Sequence, residues 1–175
     1  MSSQYGILFN QDNCIQCYGC EVACKSWRSV ELGVAWRRVK PVWIGNYPRL
    51  KNTTVSIACM HCENPACVQA CPESAITKTP ENGIVAVDRD KCIGCRTCLE
   101  ACPFQAPQFG KDGKMQKCDM CVNTIDQNAD KPPCVKTCPA EALLFVRVTP
   151  QKKKSMEDYM LKFIYPQERS LHGKI

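Results

Sequence analysis

Sixteen cysteines in a chain of 175 residues fall into four runs that repeat one spacing. An internal repeat of this kind restricts the fold more than any propensity can. The run CIGCRTCLEACP holds Cys92, Cys95, Cys98 and Cys102 in the pattern C-x2-C-x2-C-x3-C-P. An earlier run, CIQCYGCEVAC, sets Cys14, Cys17, Cys20 and Cys24 at the same intervals, with Lys25 in place of the final proline. In the second run, Cys59, Cys62, Cys67 and Cys71 carry two extra residues before the third cysteine. The fourth run, Cys118, Cys121, Cys134 and Cys138, widens that gap to twelve residues.

A C-x2-C-x2-C loop suits a cubane iron-sulfur cluster, because three thiolates can reach three iron corners while the intervening N–H groups face the sulfides. Gly19 and Gly94 are expected to let such loops close. The fourth cysteine stands on a short helical segment leading away from the loop, and in two-cluster ferredoxins that residue ligates the neighbouring cluster. Two other uses of cysteine compete. Disulfide scaffolds of this density are usually short secreted chains, and no apolar signal segment precedes Tyr5. Zinc sites use two separated pairs and leave the third in-run cysteine and the C-x3-C-P ending without a role.

Composition fits an inorganic core. Aromatic residues make up only 7% of the chain, so bound clusters can replace part of the missing hydrophobic core, and the metal-free chain is expected to fold poorly. The formal charge is +6 with cysteines counted as neutral. Each 4Fe-4S cluster with its thiolates carries roughly −2, so four of them bring the loaded protein to about −2. The basic balance then compensates buried clusters, and sparse aromatics argue against a nucleic-acid-binding zinc protein. No apolar run approaches the ~20 residues of a membrane helix, which predicts no direct membrane insertion and a cytoplasmic location by default, with periplasmic co-export alongside a signal-bearing partner as the alternative.

Between the runs lie short strand and turn signals. Ala75 to Lys78 and Ile84 to Val87 flank Glu81-Asn82-Gly83, a hairpin pattern, and Asp112-Gly113 marks another. The alternation of strand, cysteine loop and short helix looks like the bacterial ferredoxin pattern and predicts an α+β fold of two small, loop-rich ferredoxin-like domains. Spacing alone allows the runs to pair in sequence or as nested pairs.

The order of motifs is more specific. Gln4-Tyr5-Gly6-Ile7 before the first run, C-x-H-C-x-x-P-x-C in the second, D-x-x-x-C-I-G-C-R in the third and Lys117-Cys118-Asp119-Met120-Cys121 in the fourth together resemble the four-cluster iron-sulfur subunit of the dimethyl sulfoxide reductase, or molybdopterin oxidoreductase, family over about residues 4–148. The resemblance implies a nested arrangement: an outer domain of residues 1–52 and 106–148, an inner domain of 53–105 inserted in it, and a C-terminal arm of 149–175. It also implies four ligand sets: Cys14, Cys17, Cys20 and Cys138; Cys24, Cys118, Cys121 and Cys134; Cys59, Cys62, Cys67 and Cys102; and Cys71, Cys92, Cys95 and Cys98. Some family members replace the residue matching Cys95 and hold a 3Fe-4S centre. This chain keeps the cysteine, so four 4Fe-4S clusters are expected.

By the same resemblance the chain is a non-catalytic electron-transfer subunit. Its partner is a large catalytic subunit with a molybdenum or tungsten bis-pterin, nearest the cluster of Cys14, Cys17, Cys20 and Cys138. At the far end, the cluster of Cys71, Cys92, Cys95 and Cys98 faces a membrane quinone-interacting subunit or a soluble redox carrier. A related multi-cluster subunit of a hydrogenase or carbon monoxide dehydrogenase shares the cysteine runs and is the nearest competing reading.

The remaining residues show no substrate chemistry. Neither a G-x-G-x-x-G nor a P-loop occurs, and Gly110 to Lys114 reads as a turn. The histidines are His61 and His172; His61, inside the second run, is expected to hydrogen-bond or pack beside a cluster rather than ligate iron. Asp88 and Asp90 are expected in a solvated turn. The cysteine-free insert 25–52, with Trp27, Trp36, Trp43, Arg37 and Arg38, either docks a partner or packs over the outer clusters. In the tail, Lys152, Lys153 and Lys154 read as a solvated run, and Tyr159, Leu161, Phe163, Ile164 and Tyr165 suit an arm laid on a partner.

Overall fold

Proline sets the length of the helices that follow the cysteine loops. The computed structural model describes residues 3–125 and 130–164; Tyr165 and His172 lie outside the described residues. In the second, third and fourth runs the last cysteine precedes Pro72, Pro103 or Pro139, and a residue before proline is driven out of the α region. The helices there are single turns: α2 (Ala66–Gln69), α3 (Thr97–Glu100) and α4 (Pro133–Lys136). Lys25 removes that stop in the first run, and α1 continues over Gly19–Trp27 with Cys20 and Cys24 both buried.

The strands form four antiparallel pairs among the described residues. β1 (Gln4–Phe9) pairs with β8 (Leu143–Val148), from Gln4 opposite Val148 to Phe9 opposite Leu143. β2 (Arg38–Ile44) pairs with β3 (Lys51–Ile57). The two hairpins read from turn residues are present, each strand of the first one residue shorter than expected: β4 (Ile76–Lys78) with β5 (Val85–Val87), and β6 (Gln108–Phe109) with β7 (Met115–Gln116). In the first of these turns Gly83 has φ +70°, and a Cβ there would strike the Gln4 side chain, so the turn sits tightly under β1. The Tyr5 N–H donates to the Asn82 carbonyl at 2.9 Å. The molecule is thus the mixed helix-and-strand type expected.

The two cysteine-free segments have regular structure. The insert contains β2, whose partner β3 begins at the end of the insert and runs on to Ile57, and Thr149 leads into α5 (Pro150–Ile164). Helix α5 lies against β1 and buries Met156 and Met160 in the main hydrophobic cluster with Phe9, Met60 and Leu143. A smaller cluster of Ile76, Val85 and Met115 supports the β4–β5 side. Helix α1 packs on α4, and α2 contacts α3.

Candidate metal centres

Each C-x2-C pair bends its backbone at the same place. The residue before the second cysteine is left-handed in all four runs: Gln16 (φ 58°), His61 (48°), Gly94 (73°) and Met120 (58°). Only Gly94 is a glycine, and it is needed twice over, since a Cβ there would stand 2.6 Å from the Gly113 carbonyl oxygen. Gly19 does not have the turn-closing role expected of it. It begins α1, and the left-handed residue beside it is Tyr18, the N-cap, as Arg96 is for α3. A second regularity follows each Cys-Pro. Ser74, Gln105 and Glu141, three residues after the cysteine, are all left-handed at φ 49°, which turns the next N–H back toward the sulfur. The Ala142 and Ala106 N–H groups accordingly donate to Cys138 Sγ at 3.2 Å and Cys102 Sγ at 3.5 Å.

None of the sixteen cysteines is in a disulfide. Cys14, Cys17, Cys20 and Cys138 line one cavity, walled by Phe9, Val39 and Leu143. Cys71, Cys92, Cys95 and Cys98 line another, walled by Ile76, Val87, Phe109 and Met115. Cys24, Cys118, Cys121 and Cys134 are all buried. Burial pushes the Cys24 thiol up to about 12, with the Arg37 charge opposing and Cys134 and Cys121 adding to the rise. Burial also raises Cys62, which feels Glu157, Cys59, Cys102 and Cys67. Among the described residues no three His, Cys, Asp or Glu groups close tightly enough to hold a lone metal ion. Thiols raised by burial bind metal only by losing their protons.

Orphaned donors mark the same regions. His61 is wholly buried, and its Nδ1 accepts the Val85 N–H at 2.9 Å. Burial, with Lys117, Lys153 and Lys78 nearby, holds its pKa well below the ordinary range. The neutral ring therefore carries its proton on Nε2, which has no hydrogen-bond partner among the described residues. An acceptor such as a cluster sulfide satisfies that donor, so these residues fit an iron-sulfur group.

Lys153, expected in a solvated run, is internal, and so are two further cations. Lys153 is 0% exposed. Because α5 folds back on β1, its Nζ donates to the Tyr5 carbonyl at 2.6 Å. Burial lowers it to about 8, with the Cys59 and Cys62 sulfurs opposing. The signal was the helical spacing of Lys153, Met156 and Met160, which puts the lysine on the apolar face. Lys117 is also buried and bonds the carbonyls of Val85 and Cys118. From the insert, Arg37 is buried and Trp36 Nε1 donates to Gln116 Oε1 at 3.0 Å, whereas Trp27 and Trp43 remain exposed. The insert both packs inward and presents surface. As expected of a solvated turn, Asp88 accepts the Asp90 N–H. No described helix is long and apolar enough to cross a membrane.

Paired ferredoxin-like cysteine loops feeding one-turn helices define an iron-sulfur protein, and two family models agree. A 4Fe-4S dicluster domain matches residues 50–148, and a 4Fe-4S binding domain matches residues 11–27. Among curated relatives, the chain is 39% identical to the B component of anaerobic dimethyl sulfoxide reductase from Escherichia coli, with 88% of this chain and 78% of the relative covered. It is 35% identical to the B component of sulfite dehydrogenase from Allochromatium vinosum (82% and 68% covered) and 38% identical to the thiosulfate reductase electron transfer subunit of Salmonella typhi (85% and 78%). The chain belongs to the family of iron-sulfur electron-transfer subunits that includes the B component of dimethyl sulfoxide reductase.

Proposed function

We propose that this chain carries single electrons through four 4Fe-4S clusters between a catalytic subunit with a molybdenum or tungsten bis-pterin and a separate redox partner. The observation that carries the reading is the origin of the cysteines in the two cavities. One takes Cys138 of the fourth run into the first run's loop, and the other takes Cys71 of the second into the third's. A chain whose fourth cysteines cross between runs supports all four ligand sets implied by the nested order, with 1–52 and 106–148 around 53–105. The β1–β8 pairing and the α1–α4 packing join the same outer segments.

Each cluster, when bound, supplies one reversible electron at a potential set by hydrogen bonds to sulfur, local charge and exposure. The protein's part is to hold, insulate and bias those centres. His61 Nε2–H is a donor toward the cluster of Cys59, Cys62, Cys67 and Cys102, and Lys153 places a positive charge beside the same sulfurs. Cys17 and Cys95 are exposed, one in each cavity, with Ile15 and Tyr18 beside the first and Ile93 beside the second also at the surface. Electrons enter and leave through these two loops. The Cys17 loop meets the catalytic subunit, and the Cys95 loop meets a quinone-linked or soluble carrier. No catalytic group belongs to this chain.

The test is metal and sulfide analysis of the native complex. It should yield at least about 16 iron atoms and as many acid-labile sulfides per copy of this chain, with molybdenum or tungsten in the largest subunit. Zinc without labile sulfide would refute the reading.

A further inference from the structure

Arg37 is 3% exposed, and among the described residues no acidic side chain lies within ion-pair distance of it. A buried guanidinium is costly to desolvate and requires compensation. Its hydrogen bonds lead to two different cysteines of α1. The main-chain N–H faces the Cys24 sulfur, and Nη1 donates to Ser56 Oγ at 3.1 Å. Ser56 Oγ in turn stands 3.3 Å from Cys20 Sγ. Because a guanidinium only donates, Ser56 accepts from Arg37, and a deprotonated Cys20 sulfur, which has no hydrogen, can then only accept from the Ser56 hydroxyl. Nε has no partner among the described residues.

We propose that Arg37 is a positioning residue for electron transfer, a fixed cation shared by the two outer cysteine sets that favours the reduced state of both, with Ser56 adding to its effect at the Cys20 set alone. The inference rests on the proposed grouping, in which Cys20 and Cys24 serve different clusters. One-electron transfer between the two moves a single negative charge from one side of the guanidinium to the other; one cluster is oxidised as its neighbour is reduced, and the total is unchanged. A cation between them compensates the charge in either position and keeps the step nearly level. The sulfurs of Cys134, Cys118, Cys20 and Cys24 outweigh the burial penalty and hold the guanidinium pKa above its ordinary value.

The experiment is a potentiometric titration of the purified complex followed by electron paramagnetic resonance, resolving individual clusters. Arg37→Gln should raise the oxidised-to-reduced ratio of both outer clusters about tenfold at fixed ambient potential, equivalent to a downward shift of ~59 mV for a one-electron couple, and leave the Cys71, Cys92, Cys95 and Cys98 cluster unmoved. Arg37→Lys should restore most of the shift. Ser56→Ala should shift the Cys20 cluster alone, about threefold. Unshifted outer potentials in an iron-replete Arg37→Gln complex would overturn the proposal, as expected if Arg37 only supports the fold. Where Arg37→Gln does not retain iron, Ser56→Ala decides, and an unmoved Cys20 cluster overturns it. Cys138→Ala tests the grouping separately, because only the grouping predicts that the signal lost is that of Cys14, Cys17 and Cys20.

Discussion

The cavity of Cys14, Cys17, Cys20 and Cys138 and that of Cys71, Cys92, Cys95 and Cys98 share a loop and differ in their surroundings. Both have a left-handed residue before the second cysteine, a left-handed N-cap and one exposed sulfur. The first leans on the main hydrophobic cluster and receives Ser56 from β3 and, through it, Arg37 from the insert. The second rests on the smaller cluster of Ile76, Val85 and Met115. Its nearby cation, Arg96, is solvent-facing, 5.2 Å over the Phe109 ring. Thr97 Oγ1 donates to its exposed Cys95 at 3.3 Å. The cysteine spacing thus dictates the grip, and the segments between the runs dictate the electrical environment.

Iron removal should separate the two regions most. With the clusters chelated out, the chain is expected to lose most tertiary structure, β4–β5 amides exchanging freely before those of β1–β8, which α5 and the larger cluster support. Hydrogen exchange read by mass spectrometry checks this, and equal protection in both pairs would remove the distinction. Next in size is Cys102→Ala. If fourth cysteines cross between runs, this variant damages the cluster of Cys59, Cys62 and Cys67 and spares that of Cys92, Cys95 and Cys98; resolved spectra showing the reverse would break the nested reading.

A smaller effect compares equivalent loop positions. Gly94→Ala places a Cβ against the Gly113 carbonyl in a left-handed backbone and should cost about 1–3 kcal/mol, seen as a lowered melting temperature and reduced iron occupancy. Gln16→Ala, at the matching point of the first loop, should stay within about 0.5 kcal/mol. The smallest effect lies at Glu31, whose carboxylate ties the insert to the β6–β7 hairpin. The Lys111 N–H and then the Gln116 side chain hold its pKa below the ordinary 4.5. A depressed carboxylate stabilises the fold above that value and ceases to do so as pH falls through its folded pKa. The melting-temperature gap between the wild type and Glu31→Gln should therefore be open at pH 7 and narrow below about 4.5.

Local features were legible in the sequence where a residue type has a single structural use. Glu81-Asn82-Gly83 predicted its hairpin and the cysteine runs predicted ferredoxin-like loops, whereas the short helices end before Cys71, Cys102 and Cys138 instead of carrying them. What stayed hidden was burial of charge. Lys153 and Arg37 sit in polar-looking stretches, and only tertiary folding brings them beside sulfur, which makes their burial tolerable. Gly19 misled for the opposite reason: a glycine in a loop motif suggests a positive φ, yet Gln16 and Tyr18 bear that strain in the first run.

The pairing of β1 with β8 also bears on synthesis. A strand made first has no partner until nearly the whole described chain has left the ribosome. At ~5–20 residues per second the first run waits on the order of ten seconds before Cys138 and β8 emerge, while the second and third runs, close together in sequence, are available to one another much sooner. The first run therefore waits longest, and oxygen or misplaced metal has its longest opportunity at Cys14, Cys17 and Cys20. A truncation just short of β8 should therefore fail to fold even though it leaves every cysteine in place.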